Sequence, residues 1–353
     1  MTSYATKDEK VSPFSLPNDY TRKMKEQPAY KWYKPILALL LALLLALVFT
    51  IVVEVPHIIY ESVGVNVSSV AALDGSTDGD IDVSAFIAEA GQQSGAIAKD
   101  SYMDVDFTDP WAVLFSMLEI IILLPAIGLA LKAVKLGGLR SMSSVEGGLR
   151  WKRVVKLAIP LFVAMVLFDV VETVISLAIT GSWGDLGEPR FAPLALLVIL
   201  LAVPFQAATE EYVFRGYLLQ TFGSWIPVVI VPIILSSLLF AMGHGYDLLG
   251  NVGIFISGLV YAWFAVKTGG LEASICLHAC NNTVAMMMTS VFASTAATTT
   301  TSIESFVVDL ISVFFMAAVA YFVCKRNGYL ISDEDADAEA ADAPKLEHAK
   351  HAK

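Results

Sequence analysis

Pro35-Ile-Leu-Ala-Leu-Leu-Leu-Ala-Leu-Leu-Leu-Ala-Leu-Val-Phe-Thr-Ile-Val-Val-Glu-Val55 is the stretch that decides the fold class. It carries no charge before Glu54. As a helix rising about 1.5 Å per residue, about 20 apolar residues cross a hydrocarbon core of about 30 Å. The 34 residues that precede it are largely polar, and its apolar core is too long for a cleavable signal peptide. The stretch reads as an uncleaved first membrane helix.

The pattern repeats outward from there. Apolar runs cover Trp111–Leu131, Val154–Thr180, Pro193–Phe222, Ile226–Gly243, Leu248–Val266, Ala273–Val291 and Ile303–Cys324. Of the 353 residues, 56% are hydrophobic and 16% charged, which lies outside the range of soluble globular chains. Lipid offers backbone groups no water, so runs of this length must be helices. They lack the two-residue alternation of a membrane barrel. The expected fold class is an all-α polytopic membrane protein with about eight transmembrane helices.

Lysine and arginine set the expected orientation. Seven precede the first span and six lie between Lys132 and Arg153, against the single Lys99 in the 56–110 connection. Both termini are therefore expected in the cytoplasm. The expected organisation is a polar tail over 1–34, the first helix over 35–55 and an acidic extracytoplasmic loop over 56–110. A second and third helix with a basic cytoplasmic connection follow over 111–192, then a helical core over 193–324 and a disordered acidic tail over 325–353. Much of the net charge of −11 sits outside the membrane: ten acids in 56–110 and six in Asp333–Asp342. Such runs are usually solvated. No basic stripe interleaved with aromatics points to nucleic acid. Cys276, Cys280 and Cys324 all fall in apolar segments, which is no disulfide framework. No internal repeat of the transporter kind is evident.

Ionisable groups inside membrane helices are costly and each needs a reason. Glu119, Asp169, Glu172 and Asp309 stand alone or in small groups and read as packing or pairing residues. The region from Glu210 to Asn282 differs, because three polar constellations recur in otherwise apolar helices. The first is Glu210-Glu211-Tyr-Val-Phe-Arg215. Glu211 and Arg215 stand at i,i+4, the spacing of a same-face ion pair. Adjacent residues on a helix are about 100° apart, so Glu210 should point elsewhere, without a partner in the motif. That suits a general base. The second constellation is Phe240-Ala-Met-Gly-His244. The third is His278-Ala-Cys-Asn-Asn282, again i,i+4.

In this order the three motifs resemble the signature of the CAAX protease and bacteriocin-processing family of intramembrane endopeptidases. The family pattern is Glu-Glu-x-x-x-Arg, then Phe-x-x-x-His, then His-x-x-x-Asn or Asp. The resemblance covers roughly residues 193–295. It implies catalytic roles for Glu210, His244, His278 and Asn282, with Glu211, Arg215 and Phe240 as structural support. The implied activity is hydrolysis of a peptide bond in a membrane-associated protein or peptide, at the cell membrane and within the lipid bilayer.

Two mechanisms stay open. In the first, which the resemblance favours, Glu210 is the base, His244 helps hold the water, and His278 and Asn282 donate to the oxyanion. In the second, a zinc ion sits between His244, His278 and Glu210 with water in the fourth position. The chain lacks His-Glu-x-x-His, the motif that would make zinc the safer inference. Two non-enzymatic classes also stand: an immunity or scaffold protein in which the motifs form a packing network, and an ion-coupled transporter. The runs also pose a difficulty of depth. A fourth helix starting at Pro193 and a fifth ending at Gly243 put Glu210 and His244 near opposite faces. The expected resolution is a fourth helix kinked at Pro204 and running on through Phe222, and a fifth running past His244 toward Leu249.

Overall fold

The structure, a computed structural model, describes residues 16–17, 19–73, 105–180, 191–292 and 301–332. The acidic stretch 74–104, the tails 1–15 and 333–353, residue 18, the connection 181–190 and the Thr/Ser-rich stretch 293–300 lie outside the described residues. Most of the expected solvated outer loop and disordered tail lies there too, but within their bounds residues 56–73 are helical and residues 325–332 are placed, with Leu330 and Ile331 buried.

The described residues form helices and their connections, with an isolated β-bridge between Ser144 and Gly270 and no strand among them. A short amphipathic start, α1 (Asp19–Arg22) and a 3₁₀ turn (Lys23–Glu26), leads into α2 (Lys34–Leu73). Helix α2 continues well beyond the expected end at Val55, through Pro56. Next come α3 (Pro110–Ile121) and α4 (Leu123–Ala133), which form one span with an interruption at Ile122. A short α5 (Leu139–Ser143) precedes α6 (Trp151–Thr180). Helix α7 (Pro193–Glu211) passes into a π-helical turn (Tyr212–Leu218) and then α8 (Leu219–Trp225). The remainder is α9 (Ile230–Met242), α10 (Leu248–Thr268), α11 (Glu272–Phe292) and α12 (Ile303–Arg326).

Six of the expected spans are long and apolar enough to cross a membrane, among them the merged Pro193–Trp225. The chain is thus an all-α, multi-pass membrane protein. The other two expected runs are helices of a different kind. Helix α9 is apolar but has only 13 residues, about 20 Å. Helix α11 is long enough but carries Glu272, His278, Asn281 and Asn282. It tolerates them because Glu272 through Cys280 are buried, chiefly against α6, α7 and α10. A helix enclosed by other helices need not be apolar on every face.

The depth difficulty resolves through these lengths. Helix α7 does run on, as one continuous rod to Trp225. Helix α9 does not pass His244; it ends at Met242 with Gly243 as cap, and Asp247 caps the next helix through the Gly250 N–H. Glu210 lies fifteen residues before Trp225, and His244 lies fifteen residues after Val229. Helix α9 packs back along α8 and the π-turn, so both side chains sit roughly 22 Å from the same turn and reach the same level. A short ninth helix, rather than a long one, sets His244 on Phe240, whose ring lies between it and the polar cluster around His278.

Candidate active site

The site grows from the α7–π junction. Glu211 and Arg215 form the expected pair, 2.7 Å between Arg215 Nη1 and Glu211 Oε1, and both side chains are 0% exposed. A π-turn adds a residue per turn and is frequently found at functional sites. It buries Tyr212, Arg215, Gly216 and Tyr217 against neighbouring elements. The guanidinium is clamped further: Nη2 donates to the Gly258 carbonyl at 3.1 Å, and its central carbon lies 4.2 Å from the centroid of the Phe240 ring. Gly258 is needed for that approach. A Cβ there would stand 3.1 Å from Arg215 Nη2 and 3.1 Å from Ser237 Cβ.

Across from this pair stands His278. Its Nδ1 lies 2.9 Å from Glu211 Oε1, and its Nε2 lies 3.0 Å from Asn282 Nδ2. A carboxylate accepts, so Nδ1 carries the proton and donates to Glu211. The amide nitrogen of Asn282 donates, so Nε2 presents its lone pair. Asn281 Nδ2 donates to Asn282 Oδ1, and Asn282 Nδ2 also reaches Gln206 Oε1 at 3.4 Å, which fixes the amide this way round. The ring stacks on Tyr261 with centroids 5.2 Å apart and meets the Phe240 edge at 5.6 Å. The imidazole is therefore held by two aromatic neighbours and at Nδ1.

Glu210 does not point elsewhere. Its Oε2 comes within 3.3 Å of His278 Nε2, so two adjacent glutamates grip opposite nitrogens of one imidazole. The 100° separation of neighbours on a helix is kept, since the two carboxylates approach different nitrogens of the ring. The ring between them is wide enough to be met from two directions. The 3.3 Å approach is an ion pair only when the imidazole is protonated, and Glu210 Oε2 is buried without a hydrogen-bond partner. Both atoms are acceptors in this tautomer, which explains the gap.

His244 is set apart from this cluster. Its Nδ1 lies 2.8 Å from the Phe240 carbonyl, and its ring packs on Phe240 at 4.7 Å. Phe240 is thus the shared wall between His244, His278 and Arg215. The donor atoms of Glu210, His244 and His278 do not all lie within 4.8 Å of one another, so they do not form a ready zinc ligand set here. Among the described residues, Glu54, His57 and Glu119 do gather their donor atoms that closely. Gln206, Gly258 and Tyr261 complete the site without having been marked by any motif. Gln206 had one signal: it precedes Glu210 by four residues on the same helix face.

The comparisons fall on the same segment. Residues 192–284 match the family model described as Type II CAAX prenyl endopeptidase Rce1-like. A curated relative, the uncharacterized protein YyaK of Bacillus subtilis (strain 168), is 28% identical over 166 residues, 45% of this chain and 55% of YyaK. The chain thus matches about half the length of that relative. No solved structure gives a significant match. Glu210, Glu211, Arg215, Phe240, His244, His278 and Asn282 all lie within the matched residues, so the segment holding the polar centre is the one similar to the CAAX prenyl endopeptidases.

Proposed function

We propose that the protein is an intramembrane endopeptidase that hydrolyses a peptide bond in a membrane-associated protein or peptide, in processing of the CAAX or bacteriocin type. Glu210 is the base. A water bridging Glu210 Oε2 and His278 Nε2 gives its proton to the carboxylate as its oxygen attacks the scissile carbonyl. Glu210 then returns that proton to the leaving amine. Glu211, behind His278, keeps Nδ1 protonated and Nε2 facing the water. The Asn282 amide, whose two N–H groups face His278 Nε2 and Gln206 Oε1, turns one of them to the developing oxyanion as water takes up the Nε2 lone pair. His244, on the far side of Phe240, lines the approach. The observation that supports this reading most is the Glu210 Oε2 atom, buried, without a hydrogen bond and 3.3 Å from an oriented imidazole nitrogen.

The test is proteolysis by the purified, detergent-solubilised protein on a peptide and membrane-protein library, comparing wild type with Glu210→Gln and adding a chelator in parallel. Cleavage that vanishes with Glu210→Gln supports the reading. Loss on chelation would move the chemistry to a metal. Cleavage unchanged in Glu210→Gln would remove Glu210 from the reaction. A well-folded protein that cleaves nothing, with a biological effect that survives Glu210→Gln, would favour the immunity or scaffold class.

A further inference from the structure

We infer that the cavity between the N-terminal segment and the connection that follows α4 holds the phosphate of an anionic phospholipid. The cavity measures about 720 Å³. It opens at the membrane face where the first span begins, the second ends and the third begins. Its polar wall carries Lys23, Lys132 and Arg140, and its one acid is Glu146. That acid is already engaged: Glu146 Oε1 takes Arg150 at 3.1 Å and Arg153 at 3.4 Å. Lys23 shares its ammonium with exposed Glu26 at 2.7 Å. Among the described residues no carboxylate reaches Lys132 or Arg140, so these two present charge to the cavity.

The apolar wall explains why a lipid, rather than a soluble anion, is the occupant. Pro125, Leu129 and Lys132 lie along one stripe of α4, and Pro125 and Leu129 are exposed on its membrane-facing side. A headgroup phosphate among the basic residues therefore leaves its acyl chains against Leu129 and Pro125, in continuity with the bilayer. At Gly147 a Cβ would meet nothing within 4 Å, so the cavity is open on this side. Basic pockets at the ends of membrane helices are a recurrent form of lipid headgroup site.

The experiment is native mass spectrometry of the delipidated full-length protein in detergent, titrated with phosphatidylglycerol and with phosphatidylcholine of the same chains. Two unpaired basic groups around one phosphate predict a preference for phosphatidylglycerol of about tenfold or more. Lys132→Glu with Arg140→Glu should bring the two lipids level, and Lys132→Ala alone should narrow the gap with little risk to folding. Lys152→Glu, an exposed basic residue on the same face but outside the cavity, should leave the preference intact. Equal binding of both lipids by wild type would overturn the inference. So would an effect of Lys152→Glu as large as that of Lys132→Ala, because it would reduce the preference to a general surface charge. Displacement of phosphatidylglycerol by millimolar inorganic phosphate would assign the cavity to a soluble anion and overturn the lipid as occupant.

Discussion

His278 and Glu211, 67 residues apart in the chain, meet through a 2.9 Å hydrogen bond at a glutamate that also holds Arg215. One carboxylate oxygen thus ties α11 to the π-turn and sets the direction of the imidazole. Structure and chemistry depend on the same atom, which makes its neighbours separable by experiment.

Removing either member of the buried ion pair strands the other charge. Arg215→Ala and Glu211→Ala should each cost on the order of 3–5 kcal/mol. The readouts are membrane yield and the midpoint of thermal unfolding in detergent. A wild-type midpoint in both variants would show that the pair holds nothing together.

Glu210→Gln should behave oppositely. Glu210 Oε2 makes no hydrogen bond, so the unfolding midpoint should change by no more than about 1 kcal/mol equivalent. The cleavage rate should fall by about 10²–10⁴-fold if the carboxylate is the base. Rate and melt measured on one preparation decide between catalytic loss and misfolding.

Gly258→Ala tests the clamp on the guanidinium. The added methyl would stand 3.1 Å from both Arg215 Nη2 and Ser237 Cβ, against packed elements that give little. A destabilisation of about 1–3 kcal/mol is expected, together with lost activity as Arg215 and then Glu211 shift. Unaltered stability and rate would mean that the helices separate freely at this point.

Asp247 gives a pH dependence that lies outside the membrane spans. The N–H groups of Gly250 and Thr301, at 2.8 and 2.9 Å, hold its carboxyl below the ordinary carboxylate range. A depressed folded value means that its contribution is present above the ordinary range and is lost as pH falls through the folded value. The detergent melting midpoint of wild type should therefore drop in acid, and Asp247→Asn should flatten that part of the profile. A profile unchanged by Asp247→Asn would assign the acid sensitivity to other groups.

Part of the site was legible because it is local. Glu211 and Arg215 are four residues apart on one rod, and so are His278 and Asn282, so helical geometry alone put each pair on one face. The same rule gave no partner for Glu210, because His278, which its carboxylate approaches, comes from another helix. It also gave no hint that α9 would stop at Met242, although Gly243, Gly245 and the capping Asp247 are residue types that favour turns.

By itself, then, the sequence determined that the chain is a set of membrane helices and which polar residues interrupt them. Lipid forces every backbone group to be satisfied within its own segment, so apolar length translates directly into helices. Only the tertiary structure decided which interruptions meet. Glu211 with His278, Asn282 with Gln206 and Arg215 with Gly258 are joined across 67, 76 and 43 residues. Those meetings depend on how the helices cross, on a short α9 that reaches only part of the way, and on a glycine that lets two backbones approach. Periodicity along one helix carries no information about any of the three.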